Sequence, residues 1–321
     1  MSFLKWMIGL CFFLYAMSVL EQTCRELAQG RAKSVLGGLA GGRFKAVFGG
    51  MAATLLLQSS SIVSVLLIAL TGSNVLRLSQ AAGVLAGANI ATTATAWMVA
   101  WMEEGVLADS MADADRIFQM IAIVAAVGVC MLLRPEKKER KERQHRLAGN
   151  FLMGFAILLY GLELMCDTTA ALIQYPAVKE VIEAVMEHPA AAFFVGAIST
   201  AVLQSSSATI AILQGIALVH PLTCHMVIPA LLGQNLGTCS TSMLAAMGST
   251  KEGREVARMN LAYNVYGILP FFILYLLCSS LLLGDRMEME VSAMGIAAFH
   301  TCYNLFTVVL VYPPLYCHYN R

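Results

Sequence analysis

Long apolar stretches separated by short charged segments dominate the pattern of this chain. Seven of them approach the length of about 20 residues that a helix needs to cross a bilayer: residues 3–20, 79–101, 117–133, 150–166, 225–247, 257–283 and 293–313. Two further apolar stretches, residues 46–72 and 190–217, are each interrupted by the polar run Gln-Ser-Ser-Ser. Polar, irregular backbone is tolerated at membrane depth only where protein buries it or a cavity hydrates it. The pattern therefore predicts seven crossing helices and two re-entrant helical hairpins.

The charged segments predict which side of the membrane each connection lies on. Residues 22–48 carry five basic side chains and one acid, whereas residues 167–188 carry four acids and one lysine. Because basic residues favour the cytoplasmic side, the first segment is expected inside and the second outside. The two segments hold equivalent places in the two halves, so the halves are expected to have opposite orientations. The basic run at 134–146 marks another cytoplasmic connection.

The polar interruptions belong to an internal repeat. Gln58-Ser-Ser-Ser recurs as Gln204-Ser-Ser-Ser, an offset of 146 residues. The segment Gly-x-Asn-x-x-Thr at 87–92 recurs at 233–238 with the same offset. We therefore predict an all-α polytopic membrane protein with two inverted repeats, each with a re-entrant hairpin. The first repeat is residues 1–146 with its hairpin at 46–72. The second is 147–321, with its hairpin at 190–217 and a terminal helix.

Composition excludes several other classes of protein. Apolar residues make up 58% of the chain and charged residues 13%, against about 25% charged in an average soluble domain. The net charge of +1 gives no reason to expect a nucleic-acid partner. The nine cysteines form no CxxC pair and no metal-ligand spacing. No HExxH motif and no paired carboxylates lie within a span, so we expect neither an enzyme nor a cofactor.

The doubled polar runs suit the binding of an anion together with a cation. The tip of a hairpin exposes the start of its returning helix, where unpaired N–H groups and the helix dipole attract anions. Serine hydroxyls add further donors. The same hydroxyls, together with amide and backbone carbonyls, suit sodium, which takes oxygen ligands. Interhelical hydrogen bonding explains one such run alone, but two copies with identical spacing favour one shared central site.

The doubled motif also resembles a known family. Leu57-Gln-Ser-Ser-Ser and Leu203-Gln-Ser-Ser-Ser, each followed by Gly-x-Asn-x-x-Thr, are similar to the two repeats of the type II sodium–phosphate cotransporter family. This resemblance implies sodium-driven uptake of inorganic phosphate across the plasma (inner) membrane, with sodium as the coupling ion and only metal. It implies substrate-binding roles for Gln58, Ser59, Ser60, Ser61, Gln204, Ser205, Ser206 and Ser207. It implies sodium-binding or supporting roles for Asn89, Thr92, Asn235, Thr238, Asn264 and Asn304.

Some features depart from the family pattern or leave alternatives open. The segment Ala114–Gln119 stands where the family has a His/Asn segment, and Tyr263 precedes Asn264 without the usual upstream histidine. The sodium stoichiometry therefore stays open, as does the formation of a homodimer. A sodium-coupled symporter of another oxyanion or of a dicarboxylate is the alternative. A dicarboxylate would gain from an arginine, and no basic residue lies at either tip. The chain is expected to be a transporter core without a soluble regulatory domain, surrounded by membrane lipids.

The opposite charge bias of the two connections gives a direct test of orientation. In a cysteine-free background, a cysteine at Ser34 should react with an impermeant maleimide only from the inside. A cysteine at Ala177 should react only from the outside. Labelling of both cysteines from the same side of the membrane would contradict the predicted inverted arrangement.

Overall fold

The computed structural model describes residues 2–27, 42–102, 114–133, 140–186, 188–279 and 287–320. This part of the chain is helical, apart from connecting turns and an isolated bridge between Thr223 and Glu290. The helices are α1 (Ser2–Leu27), α2 (Arg43–Leu57), α3 (Ser60–Gly72), α4 (Leu78–Met102), α5 (Ala114–Leu132), α6 (Arg140–Ile173), α7 (Pro176–Met186), α8 (Pro189–Leu203), α9 (Ser206–Val219), α10 (Cys224–Gly237), α11 (Cys239–Ala246), α12 (Lys251–Leu277) and α13 (Ala293–Tyr319).

Five helices of the described ranges are long and apolar enough to cross a membrane. Their apolar parts are Ser2–Leu20, Leu78–Trp101, Gln144–Met165, Lys251–Leu277 and Ala293–Tyr319. They correspond to five of the seven predicted spans. The predicted class, an all-α polytopic membrane protein, is therefore confirmed. The inverted arrangement and the re-entrant path of the hairpins stay predictions.

The other two predicted spans are also helical. Residues 117–133 lie almost wholly in α5, a helix of 19 residues whose described apolar stretch is Ile121–Leu132. Residues 225–247, predicted as one crossing helix, divide into α10 and α11 at Thr238, which itself keeps right-handed helical angles. Pro229 removes a backbone donor inside α10. The Thr238 hydroxyl donates to the Asn235 carbonyl at 2.6 Å and so competes with the helical bonding of the backbone.

The connection predicted at 167–188 is also more ordered than its charge suggested. Helix α6 continues to Ile173, and α7 follows after a short turn. Pro176 stands at the first position of α7, where its fixed φ and missing N–H are tolerated. The following Lys, Glu, Ala and Met residues are good helix formers. Acidic side chains led us to expect a loop here, but they carry little information against a helix.

Helix α4 lies at the centre of the bundle. Every residue from Ala81 to Ala88 is buried, so this part of the helix is surrounded on all sides. Its first half packs in a core with Val63 of α3 and Tyr263 of α12. Farther along, Ala96 packs in a second core with residues of α9 and α10. The polar residues of α4 are therefore held between the two halves of the chain.

Glycines allow α2 to pack on α4 at backbone distance. A methyl group added at Gly50 would overlap the Val84 carbonyl oxygen, and one at Gly87 would overlap the Val47 carbonyl oxygen. Small residues at such positions let helix backbones approach each other closely in membranes. The repeated segment that contains Gly87 and Asn89 thus has a packing role as well as a polar one.

The same contact recurs in the second half at an offset of 146 residues. Gly196 of α8 meets the Ala230 carbonyl oxygen, and Gly233 of α10 meets the Phe193 carbonyl oxygen. Each of these four residues is the repeat partner of a residue in the α2–α4 contact. The internal repeat of the sequence is therefore also a repeat of helix packing.

Helices α1 and α6, which are themselves repeat partners, pack against each other in opposite directions. Gly9 of α1 faces Met165 near the far end of the apolar part of α6, whereas Gly154 faces Leu20. At an offset of 145 residues, Gly154 is the repeat partner of Gly9 and Leu20 is the repeat partner of Met165, so the two contacts are equivalent. The contact is therefore self-complementary, as a local two-fold axis requires.

Some sequence expectations fall on residues outside the described ranges. They include most of the basic connection between α1 and α2, most of the acidic connection after α4 and much of the basic run after α5.

The glycine contacts predict where the fold is least tolerant of a methyl group. Gly87→Ala and Gly233→Ala should each lower stability by at least about 2 kcal/mol, because backbone must move apart to admit the new atom. The Tm of the purified protein in detergent measures this loss. Gly248→Ala is the matched control, since nothing lies within 4 Å of its added carbon. Equal Tm values for all three variants would contradict the packing described.

Candidate functional site

Both polar runs break a helix with the same backbone geometry. Helix α2 ends at Gln58, with φ 51° and ψ 24°, and α8 ends at Gln204, with φ 53° and ψ 22°. A residue other than glycine rarely adopts this left-handed conformation, and such outliers cluster at functional sites. The next residue in each copy is extended and starts a new helix. The Gln-Ser pair is therefore the unit that interrupts the helix in both halves.

The first serine of each run caps the helix that follows. The backbone N–H of Ile62 donates to the Ser59 hydroxyl oxygen at 3.4 Å, and that of Ala208 donates to the Ser205 hydroxyl at 3.3 Å. This capping satisfies one of the unpaired donors of the first turn. It leaves the hydroxyl hydrogen of each serine free to donate elsewhere. The cap role is structural, but it does not compete with donation to an anion.

A small polar pocket joins the two halves at the first break. Ser207 of α9 faces the break between α2 and α3 across this pocket. Its walls are formed by Thr54, Leu55, Gln58, Ser59, Ser60, Ala91, Thr92, Thr95 and Ser207. All the polar groups on this surface are hydroxyls or amides, and none is ionised at neutral pH. The pocket therefore offers hydroxyl donors and oxygen ligands without a fixed charge.

The predicted substrate residues divide between this pocket and other surroundings. Gln58, Ser59, Ser60 and Ser207 line it. Ser61, Ser205 and Ser206 are half-buried and lie outside its wall, whereas Gln204 is exposed. The structure thus brings the first break together with one residue of the second. The two breaks do not contribute equally to this pocket.

The amide of Gln58 stabilises the break itself. Its Nε2 donates to the Leu55 carbonyl at 2.8 Å, which satisfies one of the last carbonyls of α2. The side-chain carbonyl of Gln58 remains for a ligand. A glutamine at this position therefore both closes the helix end and lines the pocket.

The predicted sodium-supporting residues of the repeated segment bond mainly within their own helices. Asn89 Nδ2 donates to the Leu85 carbonyl at 3.1 Å, and Asn235 Nδ2 donates to the Leu231 carbonyl at 2.8 Å. Thr92 donates to the Ala88 carbonyl at 2.9 Å and lines the pocket. Asn235 and Thr238 lie at the break between α10 and α11, away from the pocket wall.

Asn264 and Asn304 are buried in a separate part of the bundle. Asn264 Nδ2 donates to the Cys239 sulfur at 3.3 Å and to the Asn260 carbonyl at 3.0 Å. Asn304 Nδ2 donates to the His300 carbonyl at 2.9 Å. Neither lines the pocket. Asn264 is nevertheless tied to the α10–α11 break through Cys239, the residue after Thr238.

Sequence reasoning did not assign a role to several polar residues of the bundle. Thr54 and Thr95 line the pocket but stand outside the Gln-Ser-Ser-Ser run. Gln214 is fully buried, and its Nε2 donates to the carbonyls of Ala96 and Ala293 at 2.9 and 3.0 Å. The signal for Gln214 was present in the sequence, because its repeat partner is the apolar Ile68. A polar residue that appears in one copy only indicates a contact special to that half.

Comparisons with known proteins agree with this architecture. The chain is 22% identical over 305 residues to the uncharacterized protein YqeW of Bacillus subtilis (strain 168), covering 94% of this chain and 91% of the relative. No solved structure matches the chain. The sequence pattern of the Na⁺/Pi-cotransporter family matches twice, at residues 12–167 and 168–302. The two matches cover most of the chain, which therefore belongs to the Na⁺/Pi-cotransporter family and is a multi-pass membrane transporter rather than an enzyme.

Proposed function

We propose that this transporter couples the entry of sodium to the uptake of inorganic phosphate across the plasma (inner) membrane, by alternating access. The observation that carries the proposal is the shared pocket, in which Ser207 of the second half faces Gln58, Ser59 and Ser60 of the first. A residue from each repeat at one polar site is what a binding site at a repeat interface requires. Membership of the family supports sodium and phosphate as the transported pair.

The start of α3 suits a phosphate oxygen. The first-turn N–H groups of a helix lack intrahelical acceptors, and its N-terminus carries roughly +0.5 charge. Ser59 and Ser60 stand at this N-terminus, and Ser207 stands near the start of α9. Their hydroxyls add donors that rotate toward an anion. The donors are therefore concentrated where the helix dipoles already favour negative charge.

The absence of a fixed cation on this pocket wall favours a coupled positive ion. Phosphate near neutral pH is a mixture of a monoanion and a dianion. Two helix N-termini offset about one unit of negative charge, and no lysine, arginine or histidine lines the pocket. An anion held away from water without compensation is strongly disfavoured. Bound sodium supplies the missing charge, and the hydroxyl and amide oxygens give it ligands.

The packing of the two halves supports alternating access. Repeat partners α1 and α6 run in opposite directions, and the glycine contact of α2 with α4 recurs between α8 and α10. Two similar units of opposite direction around one site are the arrangement in which rocking of one bundle against the other exposes the site to each side in turn. A dicarboxylate fits the pocket less well, because its second carboxylate would find no basic partner there.

The pocket serines give the first test of this function. Ser207→Ala and Ser60→Ala should each lower sodium-driven uptake of radiolabelled phosphate in proteoliposomes about tenfold, because each removes a hydrogen bond to a charged ligand. Ser199→Ala is the matched control. It lies on the helix before the second break, and its hydroxyl donates to the Gly196 carbonyl of the same helix at 3.0 Å. Normal uptake by both pocket variants would contradict the assignment of the site.

The charge argument gives a second test, on the wild-type protein. Phosphate should bind measurably in sodium buffer and not in choline buffer, and each ligand should tighten the other by the same factor. Calorimetric titration of the purified protein measures both affinities. Sulfate and succinate titrated under the same conditions test the alternative substrates. Equal phosphate affinity in the two buffers would exclude sodium as the compensating charge, and tighter binding of succinate would favour the dicarboxylate.

A further inference from the structure

The two breaks differ in how they satisfy the threonine that precedes them by one helical turn. In the second half, the hydroxyls of Thr200 and Thr209 share a hydrogen bond at 2.9 Å. Thr209 also lies 3.0 Å from the Ser206 carbonyl, and Gln234 Nε2 donates to the Thr209 carbonyl at 3.1 Å. These contacts tie α8, α9 and α10 together beside the break. The Thr200 hydroxyl therefore has a hydrogen-bond partner within the protein.

The first half lacks both partner residues. At an offset of 146 residues, Val63 stands for Thr209 and Ala88 stands for Gln234. Thr54, the repeat partner of Thr200, is 3% exposed, and its hydroxyl has no hydrogen-bond partner within the described ranges. A buried hydroxyl without a partner is penalised. Thr54 lines the pocket, so a ligand there is the partner within reach.

The position of Thr54 indicates whether that ligand is a cation or an anion. It lies in the last turn of α2, where carbonyl groups lack intrahelical donors and the helix dipole is negative. A cation is stabilised at this end of a helix, whereas an anion is stabilised at the start of α3 on the other side of the break. Thr92, across the pocket, donates its hydrogen to the Ala88 carbonyl and so presents lone pairs. Both threonines thus offer acceptor oxygens.

We propose that the Thr54 hydroxyl, together with Thr92, binds the coupling sodium ion, in a subsite that the first half alone provides. The inference deepens the proposed function and rests on it. The second half offers no equivalent ligand to this pocket, because Thr200, which is hydrogen-bonded to Thr209, does not line it. The repeated sequence therefore builds one sodium subsite of this kind rather than a symmetric pair.

Three substitutions separate a sodium ligand from a structural hydroxyl. Thr54→Val should raise the half-saturating sodium concentration for phosphate uptake at least about fivefold, as expected for loss of a contact to a charged ligand. The half-saturating phosphate concentration at saturating sodium should change little. Thr54→Ser should retain wild-type behaviour, because it keeps the oxygen. Thr200→Val, the matched control, should leave sodium dependence unchanged.

Val63→Thr provides an independent test that leaves Thr54 in place. The new hydroxyl copies Thr209 and should pair with Thr54, drawing it away from the pocket. This variant should reproduce the sodium defect of Thr54→Val in a chain of almost the same shape. Wild-type sodium dependence of both Thr54→Val and Val63→Thr would overturn the proposal. A rise in the half-saturating phosphate concentration alone would overturn it too, because Thr54 would then contact the anion.

A direct measurement of ion binding keeps this inference distinct from the phosphate assignment. The Tm of the purified wild-type protein without substrate should rise in sodium chloride relative to choline chloride. The rise should be lost in Thr54→Val and Val63→Thr and kept in Thr200→Val. This result would stand even if phosphate uptake were absent, which would defeat only the proposed substrate. A wild-type Tm that is the same in sodium chloride and in choline chloride would overturn the sodium subsite itself.

Discussion

A helix that ends inside an apolar bundle leaves backbone N–H and carbonyl groups without partners, and the rest of this structure depends on how they are satisfied. At the first break, Gln58 donates to the last turn of α2, and Ser59 caps the first turn of α3. The glycine contacts allow α2 to pack closely against the central helix α4. This packing brings Thr92 and Thr95 to the same pocket as the break. The polar surface inside this apolar bundle is thus a consequence of an interrupted backbone that the neighbouring helices enclose.

Much of this architecture was predictable because it rests on local pattern and on repetition. Apolar length predicted the five long spans, and the glutamine–serine pairs predicted both breaks within a residue. The repeated glycines also allow the close packing of α2 on α4, which the sequence pattern alone did not predict. What the sequence did not predict depends on contacts between distant residues. The residues next to Gln204 in the sequence do not indicate that its side chain is exposed, whereas that of Gln58 lines the pocket.

The division of residues 225–247 at Thr238 has a cause within the sequence. The hydroxyl of Thr238 donates to the carbonyl three residues earlier, whereas Thr92 donates to the carbonyl four residues earlier inside the unbroken α4. Burial does not separate the two copies, since residues 227–235 are all buried, as residues 81–88 are. Pro229 does separate them, because it removes a backbone donor from α10 and the first copy has Gly83 in its place.

The departures from symmetry carry more functional meaning than the symmetry itself. Two identical halves would place equal ligands on both sides of the site, and each ion would then meet two equivalent positions. Here Thr209 and Gln234 satisfy the second break from within the protein, whereas Val63 and Ala88 leave the first break with an unpartnered hydroxyl in the described structure. The first break therefore presents opposite ends of two helices to one pocket, a negative end at Thr54 and a positive end at Ser60. With no fixed charge on the pocket wall, an anion and a cation bound at these ends would each supply the other's missing charge. On the proposed assignment, coupling between the two ions follows from the geometry of a single helix break, without an ionised side chain on the pocket wall.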